Sequence, residues 1–475
     1  MTERNTPLVD AVREARSQNR HPLLVPGHKM QYDQDPATIG YDLLHDLVRD
    51  DVGMQGGADS TAYTGGFLDA AEQLYADAIG ADHTRFLVGG SSQGNISGLL
   101  TVAMPDRPIA VDRTSHRSAL AGLVLSGAMP EWIFPEVHPD LGIPIGVTAA
   151  AVRAVRPDVT AVFITSPSYV GTLSDISALA EAAHALGVPL EVDQAWGAHL
   201  DYMPGLGAFV QGADVVVTSI HKALMGYSAT AIVSCRGERV DPNRLDRSVD
   251  ITNTTSPSAT LLASIDATRH IMQTEGLAAI ERVIEAVSKA RAVLRRVPGV
   301  VVIDDATAGV PVDPTKLTLW LPPTGTTGTA LSDALWGHHY AVESSDSDTI
   351  VMTFTVADSS EWIVDIAGFV AGLIEGLRGT PRTPTPAATW QVRPDVVMTP
   401  REAVFAPRRR IALEEAVGAV SAEQFCPYPP GVPLLGPGER VTAELVADIR
   451  LAGTLGRVAY CSDPTLATIE VVDGS

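Results

Sequence analysis

Residues 218–222 read TSIHK, and the lysine stands out. Of the 34 Lys and Arg residues only Lys29, Lys222, Lys289 and Lys316 are lysines, so 30 (34 − 4) are arginines. An amine partly desolvated at the end of an apolar strand gives up its proton readily and becomes a nucleophile able to form a Schiff base. A guanidinium cannot do this, which is a reason for lysine at 222. For a lysine taken alone the more ordinary reading is favoured, a stem lying on apolar surface with its head in water at a domain edge. Three other stretches bear on the choice. In GGSSQGN (89–95) small residues allow close backbone approach, and the free N–H groups of a helix start attract a phosphate; Ser and Gly there also suit ordinary capping. EVDQAW (191–196) puts Asp193 at the end of an apolar strand, where a carboxylate is costly unless it meets a cation or serves as a cap. His116 in DRTSHRS (112–118) has the shape to stack on an aromatic ring or to cap the helix that follows.

These stretches share one kind of position. From about 66 to 235 helical and strand patterns alternate. DAAEQLYADAIG is helical and ends on Gly80, RFLVGG is a short strand, and SQGNISGLLTVAM is a helix. PIAVD, TAVFITSPSYVG, VPLEVDQAW, ADVVVTSIHK and SATAIVSC supply further strands, with helices at HRSALAGLVLSG and DISALAEAAHALG. Short, wholly apolar strands alternating with helices predict an α/β fold with a mostly parallel sheet covered on both faces. Such sheets bind ligands outside the carboxyl ends of their strands, where all the polar clusters lie. Long helices are predicted over 257–297. A smaller α+β unit follows over 298–378, with strands at GVVVIDD, KLTLWLP and TIVMTFTV and an amphipathic helix at SEWIVDIAGFVAGLIEGL. The Pro/Thr-rich RGTPRTPTPAATW leads into a last segment, so the expected division is 1–25, 26–297, 298–378 and 379–475.

Composition limits the partners. The hydrophobic fraction of 45% with 19% charged residues is ordinary for a globular protein of two or three domains. A net charge of −22, spread along the chain, disfavours nucleic acid and anionic membrane and suits a small cationic substrate or plain solubility. Cys235, Cys426 and Cys461 are far apart and odd in number. They form neither a disulfide framework nor a metal motif, so a reducing, cytoplasmic setting and no metal are expected. MTERNTPLVD has no signal-peptide pattern, and no apolar run reaches membrane-spanning length.

A phosphate cradle, a ring-facing imidazole, a strand-end carboxylate and then Ser-x-His-Lys resemble, in that order, the pyridoxal 5'-phosphate (PLP) enzymes of fold type I, the aspartate aminotransferase-like fold. PGHK (26–29), GGSSQGN, DRTSHRS, TSPSYVGTLSDI, VDQAWGAH, TSIHK and CPYPPGVPLLGPGE narrow the resemblance to the Orn/Lys/Arg decarboxylase family, in its short bacterial form without an N-terminal wing domain. It covers about residues 20 to 450. It implies a large PLP-binding domain, a small domain and a C-terminal domain. Lys222 would form the internal aldimine, Asp193 would pair with the pyridine nitrogen, and His116 would stack over the ring with Ala195 on the opposite face. Ser91, Ser92 and Gln93 would bind the phosphate, helped by Ser219 and His221. The chain departs from the pattern at Gln194 and Trp196 of DQAWGAH, at Arg117 of SHRS, in GAVSAE (418–423) and in DLVRDDVGMQGGADST (46–61).

The implied reaction is decarboxylation of a basic amino acid, with arginine ahead of lysine and ornithine. His221 or Lys222 would return the proton to the α-carbon. An aminotransferase, or an oxygen-using enzyme acting on arginine, is the alternative on the same fold. A third class, a catalytically dead partner subunit, is disfavoured by the presence of Lys222, Asp193 and His116 together. Fold type I implies a homodimer or a dimer-based oligomer, in which a hydroxyl of TNTTSPSA (252–259) would reach the partner's phosphate.

Overall fold

The computed structural model describes residues 5–17, 26, 28, 51–54, 66–385, 393–428, 431–454 and 458–475. Lys29, most of 46–61 and the pair Pro429–Pro430 of the C-terminal motif lie outside them.

Seven strands make the central sheet: β1 (His83–Leu87), β2 (Pro108–Asp112), β3 (Met129–Ile133), β6 (Val162–Thr165), β7 (Leu190–Asp193), β8 (Val215–Ser219) and β9 (Ala231–Cys235). Between β3 and β6, β4 (Glu136–Val137) and β5 (Pro144–Gly146) form a separate antiparallel pair. The sheet order is β1-β9-β8-β7-β6-β2-β3. From β3 to β8 the neighbours run parallel. β9 is antiparallel to both β8 and β1, so one edge of the mostly parallel sheet is reversed. Every residue of β2, β7, β8 and β9 is buried, as continuous Val/Ile/Leu runs require of strands covered on both faces.

Helix α1 (Gly90–Val102) lies directly on this sheet. A Cβ at Gly94 would run into Val217 of β8, and one at Gly98 into the Glu191 carboxyl of β7. Glycine at these two positions lets the helix approach the sheet, which brings its N-terminus down to the strand ends.

The predicted long helices are present as Ala259–Ile271 and Leu277–Leu294, joined by a π-helical turn at Met272–Gly276. A four-stranded antiparallel sheet follows, in the order β10 (Val301–Ile303), β11 (Lys316–Trp320), β13 (Thr349–Thr353) and β12 (Ser344–Ser345). It packs on the helices Leu277–Leu294 and Ser360–Gly376 around a separate apolar core. The C-terminal part has its own core under two strand pairs. These are β14 (Arg408–Ala412) with β17 (Thr468–Val472), and β15 (Cys426–Tyr428) with β16 (Val458–Tyr460).

The C-terminal motif is explained by one buried ion pair. Arg113, just past β2, donates to both oxygens of Glu439 at 2.6 and 3.0 Å and to the Leu434 carbonyl at 2.8 Å. Its guanidinium also lies 4.5 Å from the centre of the Trp132 ring. Glu439 takes a further bond from Gly436 N–H at 2.6 Å. LLGPGE is therefore the segment by which the C-terminal part grips the loop that carries His116.

Candidate active site

The strand-end loops and α1 enclose a cavity of about 470 Å3, to which the small sheet contributes Glu343 and Ser344 and the C-terminal part Tyr428 and Tyr460. Lys222, Asp193, His116, Ser91, Ser92, Ala195 and His221 all reach its wall.

Lys222 follows β8 in a four-residue helical turn, Ile220–Ala223. Burial holds its amine below the usual lysine range, against the charges of Asp193 and Glu343, which favour the protonated form. Its Nζ sits 4.3 Å from the centre of the Trp196 ring. A second lysine, Lys316 of β11, places Nζ 4.1 Å from the same ring and donates to the Tyr169 carbonyl at 3.3 Å. Burial lowers Lys316 to about 8, with the Lys222 charge adding to the effect against Asp313 and Glu343.

Asp193 ends β7 on the cavity floor. Its Oδ1 accepts from Ala195 N–H at 3.0 Å and its Oδ2 from Asn95 Nδ2 at 2.7 Å. Burial raises its pKa, opposed by the Lys222 charge and by these hydrogen bonds. The other hydrogen of the Asn95 amide goes to Ser118 Oγ at 2.9 Å. Ser118 Oγ in turn lies 2.8 Å from His116 Nδ1, which also caps its helix by accepting from Ser118 N–H at 3.2 Å. With Nδ1 an acceptor, the proton of the neutral ring sits on Nε2. Burial, then the Lys222 and Arg117 charges, push His116 down to about 4, so it is neutral at pH 7. One hydrogen-bond chain thus runs Asp193–Asn95–Ser118–His116 and fixes the floor relative to the wall. Asp112 supports the same wall by accepting from Thr114 N–H and Oγ1 and from Thr165 N–H.

At the start of α1, Gly90 takes a positive φ of 68° and donates to the Ala229 carbonyl at 2.7 Å, leaving Ser91 and Ser92 at the cavity. His221 Nδ1 donates to the Thr230 carbonyl at 2.9 Å, so its Nε2 is the atom left for a ligand.

Two expected phosphate residues sit elsewhere. The Gln93 side chain is buried and turns back to accept Gly89 N–H through Oε1 at 2.9 Å, so it braces the loop from beneath. Ser219 is wholly buried, with its hydroxyl 3.1 Å from His221 Nδ1, and is not at the wall. Both follow from geometry: Gln93 lies one residue further round the helix than Ser92, and Ser219 is still within β8. The departure at Gln194 is structural too, since its amide bridges Asp201 Oδ1 and Ala208 N–H at 2.9 and 3.1 Å. Asn95, Lys316, Glu343 and the two tyrosines escaped the sequence reading. Lys316 carried a usable signal, being one of four lysines and opening an apolar strand.

These residues fit PLP. A helix N-terminus with two serines can hold a phosphate, a buried carboxylate without a full ion pair can hold a protonated ring nitrogen, and Lys222 supplies the amine. Among the described residues no cluster of His, Cys, Asp or Glu is placed to hold a metal ion, and no helix is long and apolar enough to cross a membrane.

Comparison with known proteins agrees with this geometry. Residues 6–311 match the major domain of Orn/Lys/Arg decarboxylases and residues 385–455 their C-terminal domain. An arginine decarboxylase of Bacillus subtilis is 32% identical over 468 residues, 94% of each chain. The Francisella novicida lysine decarboxylase superposes with a TM-score of 0.85 at 17% identity, over 98% of this chain and 81% of that one. A structure of SPT with its PLP internal aldimine aligns with a TM-score of 0.52 at 15% identity, over 74% of this chain and 85% of the other.

Proposed function

This chain belongs to the Orn/Lys/Arg decarboxylase family, and from that premise we propose that it converts arginine to the corresponding amine and CO2. It is a PLP-dependent enzyme acting on a basic amino acid. Arginine is preferred over lysine and ornithine because the B. subtilis relative, matched along nearly its whole length, is an arginine decarboxylase.

The convergence of a deprotonation-prone Lys222 and a buried Asp193 in one cavity carries the reading. PLP bound here supplies an electron sink for the pair left when the bond from Cα to the carboxylate breaks. Ser91 and Ser92, at the start of α1, would hold the phosphate, with His221 helping in its imidazolium form, in which Nε2 as well as Nδ1 bears a proton. Asp193 keeps a proton on the ring nitrogen through its carboxylate, and Asn95 keeps that carboxylate aimed. His116, neutral and tied to Ser118, would pack against the bound ring from one side of the cavity, with Ala195 on the other. Lys222 Nζ would hold the proton that returns to Cα, with His221 in its imidazolium form as the second candidate donor.

A homodimer belongs to this proposal. Thr254, Thr255 and Ser256 are exposed and away from their own chain's cavity wall, as a segment serving a partner's site needs. The three free cysteines suit a reducing, cytoplasmic setting.

A panel of arginine, lysine and ornithine, read for CO2 and for amine, tests the assignment. The highest kcat/KM is expected for arginine. Amine-free turnover of all three would overturn the reading.

A further inference from the structure

Gln194 and Trp196 both depart from the family pattern; Gln194 braces its own turn, whereas Trp196 lines the cavity. The turn is closed by the bond from Gly197 N–H to the Gln194 carbonyl at 2.8 Å. Its other end is tied to the floor, because Ala195 N–H donates to Asp193 Oδ1. A Cβ at Gly197 would run into Gln194 and Pro167, so the turn is packed on both sides. The backbone of Trp196 is therefore fixed relative to the carboxylate on the cavity floor.

Two amines meet its ring. Lys222 Nζ lies 4.3 Å from the ring centre and Lys316 Nζ 4.1 Å, well inside the ~6 Å over which a cation and an aromatic face attract. They differ in what else holds them. Lys316 is fully buried and off the cavity wall, with its stem beneath the Gly171 turn and its head donating to the Tyr169 carbonyl. The Lys222 amine makes no hydrogen bond or ion pair among the described residues, so the indole is what it rests on. An ammonium drawn out of water is costly unless a partner offsets the loss. The indole face, the best of the aromatic ones for this purpose, is such a partner.

Resting on the decarboxylase reading above, we propose that Trp196 is a positioning residue for Lys222: its ring seats the amine of that lysine whenever the lysine is not joined to the cofactor. The substrate amine displaces Lys222, and the seat then holds the freed ammonium at the cavity wall. After CO2 has left, an N–H bond of Lys222 breaks as the C–H bond at Cα forms. Lys222 is left as the neutral amine, which rejoins the cofactor and releases the product amine. Trp196 touches none of the reacting atoms in this sequence and acts only through the lysine.

Having only four lysines makes the seat visible by NMR of the full chain isotope-labelled at lysine Cε, with signals assigned through Lys222→Arg and Lys316→Arg. With the cofactor stripped, the ε-methylene protons of Lys222 and Lys316 should lie upfield of those of Lys289, an exposed residue paired to Glu285, through the ring current of Trp196. Restoring PLP should move the Lys222 signal and leave that of Lys316 upfield. Trp196→Leu should remove the upfield displacement of Lys222, and Trp196→Phe, which keeps a weaker face, should retain part of it. In the holoenzyme Trp196→Leu should lower kcat on arginine about 10-fold, the size of one desolvated cation–π contact, while KM changes much less. The solvent deuterium isotope effect on kcat should grow, because proton return becomes the slow step, and Trp196→Phe should lie between. A Lys222 signal that Trp196→Leu leaves in place overturns the seat. A displaced signal with wild-type kcat and isotope effect overturns its role in proton return. If wild type releases no CO2 from arginine, the reaction assignment fails, while the lysine signals still decide the seat.

Discussion

Replacing Glu439 by alanine should release the C-terminal part from the loop that carries His116. The pair it forms with Arg113 is almost dry, with side chains 3% and 2% exposed. Removing one member of such a pair strands the other charge, which typically costs about 3–5 kcal/mol. Arg113 retains the Leu434 carbonyl and the Trp132 face, so the lower part of that range applies to the guanidinium. Gly436 N–H loses its acceptor as well, adding on the order of 1 kcal/mol. The expected total is about 3–4 kcal/mol. Hydrogen exchange is the suitable assay, because it resolves opening of one part of a multidomain chain where a single unfolding transition does not. Amides of β14 and β17 should exchange faster by a factor matching that free energy, while those of β7 and β8 change little. Replacing both partners, Arg113→Met with Glu439→Leu, removes the stranded charge and should recover about 2 kcal/mol or more relative to Glu439→Ala alone. A loss below about 1 kcal/mol for the single variant, or a double variant worse than the single, would refute the weld.

Two other perturbations separate chemistry from packing. Lys222→Ala should abolish both the visible absorbance of the purified holoenzyme and turnover, while thermal unfolding stays cooperative; a persisting visible band would show that another amine anchors the cofactor. Glu191 is fully buried in β7 with neither oxygen hydrogen-bonded, and burial, with Asp193 adding, raises its pKa well above the ordinary carboxylate value. Its folded form keeps a proton that the unfolded chain releases above about pH 4.3, so it costs more stability as pH rises from there. Glu191→Met should therefore be about 1–2 kcal/mol more stable at pH 8 and show a flatter decline from pH 5 to 8 in urea titrations. A destabilised variant with the wild-type slope would contradict this.

The parts of the site that were legible in the sequence are those whose chemistry and position are set locally. Lys222, Asp193 and His116 each follow an apolar strand, and a parallel sheet sends every such residue to the same edge. Ser91 and Ser92 were readable because a helix start was. Gln93 and Ser219 lie off the cavity wall because one residue along a helix or strand changes which face a side chain takes, and short motifs do not encode that phase. Glu343 and Lys316 come from the small sheet, and nothing local to AVESS or to KLTLW says which domain they face. The Arg113–Glu439 pair joins residues 326 positions apart, so the reason for LLGPGE lay in tertiary contact. The reversed β9 likewise reads as one more apolar strand, since its direction depends on the connection and not on its residues.

The central claim is tested most directly by giving the holoenzyme carboxyl-labelled arginine in deuterated water. The account predicts labelled CO2 and the decarboxylated amine in equal amounts, with one solvent deuteron at the carbon that lost the carboxylate. Formation of a keto acid or peroxide with the label retained in the organic product would contradict it.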